Sequence, residues 1–253
     1  MAHPYLDSPP LIFAHRGGGA EVPENSWSAL AHTHALGVRY LETDAHITAD
    51  GVIVLIHDPT VDRTLSGSAL VTTMTWQELS TLRDTAGDPP VRLDEALTAY
   101  PDLHFNIDAK SDAVAGPLAR LARYHSERMC LASFSDRRLA LIRSINPHAA
   151  VSIGQEATAR LVSLSLLSLR AGAARARRIP AIREAIAAQV PARFRTIPVV
   201  TRRFVELCHA IDLQVHVWTI DEAAEMRRLF ALGVDGIVTD RPRVALDVVA
   251  DLT

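Results

Sequence analysis

The chain has 253 residues, 26 Lys and Arg against 29 Asp and Glu, a net charge of −3, and 48% hydrophobic but only 5% aromatic residues. That length suits one large domain or two small ones, and the composition is that of a globular chain with an aliphatic core. The charge balance argues against a general nucleic-acid binder, no apolar run reaches the ~18 residues of a membrane span, and the N-terminus lacks the basic and apolar regions of a signal peptide.

Strand-like runs alternate with helical patterns in chain order. Leu11–His15 is followed by a helix over Ser26–Leu36. Tyr40–Asp44 leads into Thr48-Ala49-Asp50-Gly51 and Val52–Ile56, a hairpin because Asp-Gly suits a tight turn. Asp58–Arg92 is polar, carries Gly-Asp-Pro-Pro and one helical piece at Thr75–Arg83, and reads as an insertion. The strand Leu103–Asp108 precedes a helix over Ala113–His125. Met129–Phe134 precedes Asp136–Ile145, and Ala149–Ile153 precedes Ala157–Leu169. Ala187–Val190 and the helix Thr201–Ala210 follow, then Gln214–Trp218 with Asp221–Leu232, and finally Gly236–Thr239. Eight strands with helical crossovers predict a closed (β/α)₈ TIM barrel, with an open doubly wound sheet as the competitor. One domain, 1–253, with an insertion over about 58–92 accounts for the pattern.

Charge is unevenly placed. Residues 1–111 carry 15 acids and 6 bases, residues 112–253 carry 14 acids and 20 bases. The acidic half could hold a cation, or simply present solvated faces. The basic cluster Arg170, Arg175, Arg177, Arg178 and Arg183 reads as a solvated helix face, with contact to anionic lipid or substrate as the lesser alternative. Of the 26 cationic residues, 25 are arginine, and the one lysine is Lys110. Cys130 and Cys208 read as small core residues in a reduced, cytoplasmic setting.

Barrel chemistry is built at the C-terminal ends of the strands. There the sequence places His15-Arg16, Glu42-Thr43-Asp44, Asp108-Ala109-Lys110 and Trp218. Glu42 and Asp44 are two apart on a strand, so they share a face, and adjacent carboxylates repel unless a cation or proton neutralises them. Asp108 is a candidate third carboxylate, and an all-oxygen set favours Mg²⁺ or Ca²⁺ over Zn²⁺. If the hairpin turn is centred between Asp50 and Gly51, Asp44 lies opposite His57, which carries that histidine back to the carboxylates. His15 and His57 then form an acid–base pair suited to neutral pH, with Arg16 and Lys110 as cations for a phosphate. His32, His34, His125, His148 and His209 read as structural, and His46 as a rim residue.

Ala14-His15-Arg16-Gly17-Gly18, Pro23-Glu24-Asn25-Ser26, Leu41-Glu42-Thr43-Asp44, Ile56-His57-Asp58 and Asp62-Arg63-Thr64 together resemble the glycerophosphodiester phosphodiesterase family. So do Asn106-Ile107-Asp108-Ala109-Lys110, Ser133-Phe134, Val217-Trp218-Thr219 and Asp235-Gly236-Ile237-Val238-Thr239-Asp240-Arg241-Pro242. The resemblance implies a divalent metal held by Glu42, Asp44 and Asp108, catalysis by His15 and His57, and phosphate contacts from Arg16 and Lys110. It further implies Glu24 in the site and Trp218 along the headgroup pocket. Two positions depart from the family pattern. Asp108 stands where glutamate is usual, shortening its reach by ~1.5 Å, and Ser26 replaces threonine as a helix cap.

The expected activity is hydrolysis of a small glycerophosphodiester to an alcohol and glycerol 3-phosphate, with no nucleic-acid partner and no stable membrane insertion. The rival readings are a lysophospholipase D-like hydrolase and a catalytically silent phosphodiester-binding barrel.

Overall fold

The computed structural model describes residues 3–252. Eight parallel strands form the barrel: β1 (Leu11–His15), β2 (Tyr40–Ile47), β4 (His104–Ala109), β5 (Met129–Ala132), β6 (Ala150–Val151), β7 (Ala187–Pro191), β10 (Gln214–Trp218) and β11 (Gly236–Thr239). Hydrogen bonding runs β6-β5-β4-β2-β1-β11-β10-β7. A parallel bridge between Ser152 and Ala187 and a 2.9 Å bond from the Ile186 N–H to the Val151 carbonyl join β6 to β7 and close the ring.

The crossovers are α1 (Trp27–Ala35), α3 (Leu93–Ala99), α4 (Asp112–Leu121), α5 (Asp136–Ile145), α6 (Gln155–Leu164), α7 (Leu169–Ala176), α8 (Pro180–Arg183), α9 (Arg202–His209), α10 (Ala223–Ala231) and α11 (Pro242–Ala250). The Ala157–Leu169 helix expected from sequence breaks after Leu164, and α7 and α8 occupy the basic stretch. Arg170, Arg175, Arg177, Arg178 and Arg183 are all exposed, as a solvated face requires. Cys130 and Cys208 are buried free thiols.

Strand alternation sorts the side chains. On β4, Phe105, Ile107 and Ala109 face the helices, inside the apolar layer that also holds Val114, Leu118, Leu131 and Ile142. Their alternates His104, Asn106 and Asp108 turn inward and are buried. The lower interior is filled by Tyr5, Phe13, Tyr40 and His104 in edge-to-face and tilted contacts 4.8–5.5 Å apart. Along β2 the same face runs from Tyr40 to Glu42 and Asp44, from an aromatic floor to carboxylates at the mouth.

β2 continues into an antiparallel pair with β3 (Ile53–Leu55). The expected register is corrected here. Ala45 pairs with Leu55 and His46 with Val54, so Asp44 stands opposite Ile56 and not His57. The cause is the turn. Thr48 bonds Val52 at 2.9 Å across a three-residue loop, Ala49-Asp50-Gly51, with Gly51 at φ +87°. Glycine in the left-handed position is what such a loop requires, and its odd length shifts the pairing by one. The segment after β3 packs on this hairpin through Val54, Ile56, Val61, Val71 and Leu79. It contains a 3₁₀ turn (Val71–Thr73) and α2 (Trp76–Leu79), which is shorter than expected and closed by a Thr75/Glu78 capping box.

Candidate active site

Histidine 15 ends β1. Its Nδ1 lies 2.7 Å from Asp240 Oδ1, which follows β11, and its Nε2 lies 3.8 Å from Glu42 Oε2. A carboxylate on Nδ1 fixes the ring and leaves Nε2 aimed at the carboxylates. Burial alone would lower the His15 pKa, but the Asp240 hydrogen bond and the Glu42 charge outweigh it and raise the value.

The chain then turns sharply. Arg16 and Asn25 adopt left-handed conformations, φ +52° and +51°, a region that asparagine tolerates but that strains an arginine. Gly17, φ +85°, has no room for a Cβ, which would stand 2.4 Å from the Ala29 Cβ. Ser26 caps α1 by accepting from the Ala29 N–H, the role its threonine-like hydroxyl predicts. This turn throws Arg16 and Asn25 over the mouth. Arg16 Nε is 3.2 Å from Asp44 Oδ2, a charge contact off the hydrogen-bond axis, and Nη1 bonds Glu24 Oε1 at 3.1 Å. Asn25 donates to Asp44 Oδ2 at 3.1 Å and accepts from Thr43 at 2.7 Å.

Lys110 lies between two of the predicted ligands. Its Nζ is 2.8 Å from Asp44 Oδ1 and 2.9 Å from Asp108 Oδ2. Burial would raise the Asp44 pKa, but Lys110 and Arg16 hold it below the usual carboxylate range. Asp108 stays raised, chiefly by burial. Glu42 has no lysine or arginine side chain bonded to it; it accepts from the Arg16 backbone N–H at 3.3 Å, and the charges of His15 and Arg16 offset only part of its own. Burial first, then the charges of Asp44 and Asp108, push its pKa up to about 8.

The second histidine reaches the site by a different route from the one expected. His57 Nδ1 bonds Asp58 at 2.6 Å, and Arg63 Nε bonds the other Asp58 oxygen at 2.6 Å. Arg63 also forks onto Glu24 at 2.7 and 2.8 Å. Arg63 and, after it, His57 pull the Asp58 pKa down to about 2. His57 is thus tied to Arg16 through Asp58, Arg63 and Glu24, not by the β2–β3 ladder. His46, expected at the rim, is buried. Its Nε2 is 3.3 Å from the His57 carbonyl, its Nδ1 has no partner, and burial lowers its pKa. β2 stays paired with β3 through Ile47, which holds His46 within the sheet. Trp218 ends β10 and meets Phe134, after β5, edge to face at 5.5 Å across the mouth.

Sequence reasoning passed over Asp240, Asp58, Arg63 and Asn25 as site groups. Asp240 follows a strand end exactly as His15 and Lys110 do, and Asp58 adjoins His57; those were the available signals.

The donors suit a hard divalent cation. Carboxylates outnumber permanent cations around the mouth, Glu42 is only partly compensated, and the buried Asp108 Oδ1 and Asn106 Oδ1 lack hydrogen-bond partners. Among the described residues no three His, Cys, Asp or Glu side chains already form a metal cage, since Lys110 occupies Asp44 and Asp108.

The sequence pattern of the glycerophosphoryl diester phosphodiesterase family matches residues 15–244, from His15 to beyond Asp240. The chain belongs to this family. It is accordingly an enzyme, a phosphodiesterase built on a TIM barrel. A probable glycerophosphodiester phosphodiesterase 2 of Mycobacterium tuberculosis is 34% identical over 242 residues, covering 94% of this chain and 90% of that protein. A glycerophosphodiester phosphodiesterase of Caldanaerobacter subterraneus is 31% identical, covering 94% and 97%. The crystal structure of a glycerophosphodiester phosphodiesterase from Agrobacterium tumefaciens matches with a TM-score of 0.74 at 25% identity, covering 92% of this chain and 98% of that one. An Oleispira antarctica phosphodiesterase, solved with the product sn-glycerol-3-phosphate, shares the fold with a TM-score of 0.76 at 18% identity, covering 95% and 97%. Other phosphodiesterases of the family therefore share this barrel over nearly its whole length.

Proposed function

We propose that this phosphodiesterase hydrolyses glycerophosphodiesters to an alcohol and glycerol 3-phosphate, with the chain acting as one domain. The observation that carries the reading is the pairing of a carboxylate-oriented histidine, His15 on Asp240, with an only partly compensated Glu42 beside it. Glu42, Asp44 and Asp108 would hold a Mg²⁺ or Ca²⁺ ion. Asp108, shorter than glutamate and already bonded to Lys110, would take part through its free Oδ1, directly or by way of water. Such an ion supplies Lewis-acid stabilisation of charge on the phosphoryl oxygens.

The chain's own residues do the rest. Arg16 and Lys110 offset phosphate charge with a planar fork and a point charge. His15 and His57 each keep Nε2 open while Asp240 or Asp58 holds Nδ1. One takes the proton of the attacking hydroxyl or water and the other protonates the departing alkoxide. Glu24 does not reach for substrate; it aligns Arg16 and Arg63. Trp218, with Phe134, walls the side where the glycerol or headgroup rests.

The test is a panel of glycerophosphocholine, glycerophosphoethanolamine and glycerophosphoglycerol with Mg²⁺ or Ca²⁺, and again after chelation. Release of glycerol 3-phosphate that chelation abolishes is expected. No release from any of them overturns the substrate class, and unchanged rates after chelation overturn the metal assignment.

A further inference from the structure

On the barrel's mouth, next to Trp218, two large apolar side chains face water. Trp218 pairs with Pro191 at the end of β7. Two residues later the chain forms a hairpin of its own, β8 (Arg193–Phe194) and β9 (Ile197–Pro198). Phe194 and Ile197 are direct cross-strand partners, so both side chains stand on one face of this ribbon. They are 61% and 57% exposed. Arg195 turns the ribbon at φ +53° with its guanidinium 5.8 Å over the Phe194 ring. The hairpin therefore presents an apolar pair flanked by Arg195 at its turn and Arg193 at its base.

The charge is of one sign. Residues 185–205 contain Arg193, Arg195, Arg202 and Arg203 and no acid, and all four arginines are exposed. The neighbouring acids on the α10 side are held first by other arginines: Glu225 by Arg228 at 2.7 Å, with Arg193 a weaker charge neighbour, and Glu222 lies 3.7 Å from Arg241. Paired apolar side chains between two arginines, with two more exposed arginines at the start of α9, complement an interface that is apolar inside and anionic at its surface.

We infer that the β8–β9 hairpin is a peripheral docking element for anionic phospholipid bilayers. Phe194 and Ile197 enter the headgroup–acyl boundary, while the arginines meet the lipid phosphates. The hairpin adjoins Trp218, so docking brings the mouth to the lipid surface. The binding surface is separate from the catalytic residues and goes beyond the proposed reaction.

The test is cosedimentation of the full chain with vesicles of equal parts phosphatidylcholine and phosphatidylglycerol, and with pure phosphatidylcholine vesicles. The wild-type chain is expected to pellet with the anionic vesicles only, and high salt should release it. The double variant Phe194→Ser/Ile197→Ser should bind at least about tenfold more weakly, the order expected when two large apolar side chains no longer leave water. Its hydrolysis of soluble glycerophosphocholine should stay at the wild-type rate, which also shows that it folds. Arg195→Glu/Arg202→Glu should likewise release the chain. Absence of wild-type binding, or equal binding by the double variant, overturns the inference. So does a wild-type dimer that the double variant splits, because a second copy would then cover the hairpin. A wild-type chain inactive on soluble substrate would refute the proposed reaction and leave the docking result standing.

Discussion

Replacing Glu42 by glutamine should stabilise the metal-free protein while impairing turnover. Glu42 is surrounded by Asp44 and Asp108 and is only 12% exposed at its side chain, so its charge is little screened by solvent. Its pKa rises from an ordinary 4.5 to about 8, with burial the first cause and the neighbouring carboxylates the next. A folded-state value above the unfolded one means the native chain binds the extra proton, so stability falls as pH rises between the two values. At about 1.4 kcal/mol per pH unit, the cost reaches about 3 kcal/mol at pH 7 and about 4–5 kcal/mol above pH 8. For a chain of this size, 3 kcal/mol corresponds to about 6–12 °C in Tm. Glutamine keeps the shape, removes the charge and can donate to Asp44 or Asp108. Thermal unfolding of wild type and Glu42→Gln in chelator, from pH 5 to pH 9, should show a gap that opens with pH in favour of the variant. A divalent cation in excess should close the gap by binding only the wild type. Parallel pH profiles, or a less stable variant at pH 8, would refute the picture of an under-compensated carboxylate.

Asp240→Asn should lower kcat by roughly 10²-fold and move the limb of the pH–rate profile belonging to His15 to lower pH, because the hydrogen bond that raises its pKa is weakened; an unshifted limb removes Asp240 as the orienting group. Arg63→Ala frees both Asp58 and Glu24, and a fall in kcat/KM of about tenfold is expected from the loosened His57 and Arg16. Wild-type kinetics in that variant would show that the ion-pair chain does not position them. Gly17→Ala combines a strained φ with a Cβ driven into Ala29, and should cost about 2 kcal/mol or more, read as a lower urea midpoint. An unchanged midpoint would mean that the turn relaxes freely.

The parts of the fold set by local pattern were legible in the sequence. Leu11–His15, Gln214–Trp218, Gly236–Thr239 and Asp136–Ile145 form as read, since each is a short run bounded by charged or turn residues. The strand expected over Ala149–Ile153 shrinks to Ala150–Val151, because pairing at the closure of the ring depends on neighbours that the local sequence does not contain. The α7 and α8 helices were hidden by an Ala/Arg-rich stretch with weak apolar periodicity, and α11 by the Arg241-Pro242 start, where proline occupies the first helical turn. Within the site, residues at strand ends could be named one by one, and alternation brings Lys110 onto the face of Asp108. Their partners could not be named. His15 meets Asp240 from 225 residues away, and Glu24 meets Arg63 across 39, and no local pattern encodes either contact. The His57 geometry failed for a local reason, one extra residue in the turn, yet His57 is still joined to the site by ion pairs that the turn does not control.

The most direct test of the central claim is phosphorus NMR of glycerophosphocholine incubated with the purified chain and Mg²⁺ or Ca²⁺, beside His15→Ala under the same conditions. Conversion of the diester signal to that of glycerol 3-phosphate by the wild type, and its loss in a folded His15→Ala, is the predicted result. A diester signal that persists with the wild-type chain, or an equal conversion by the variant, would contradict the account.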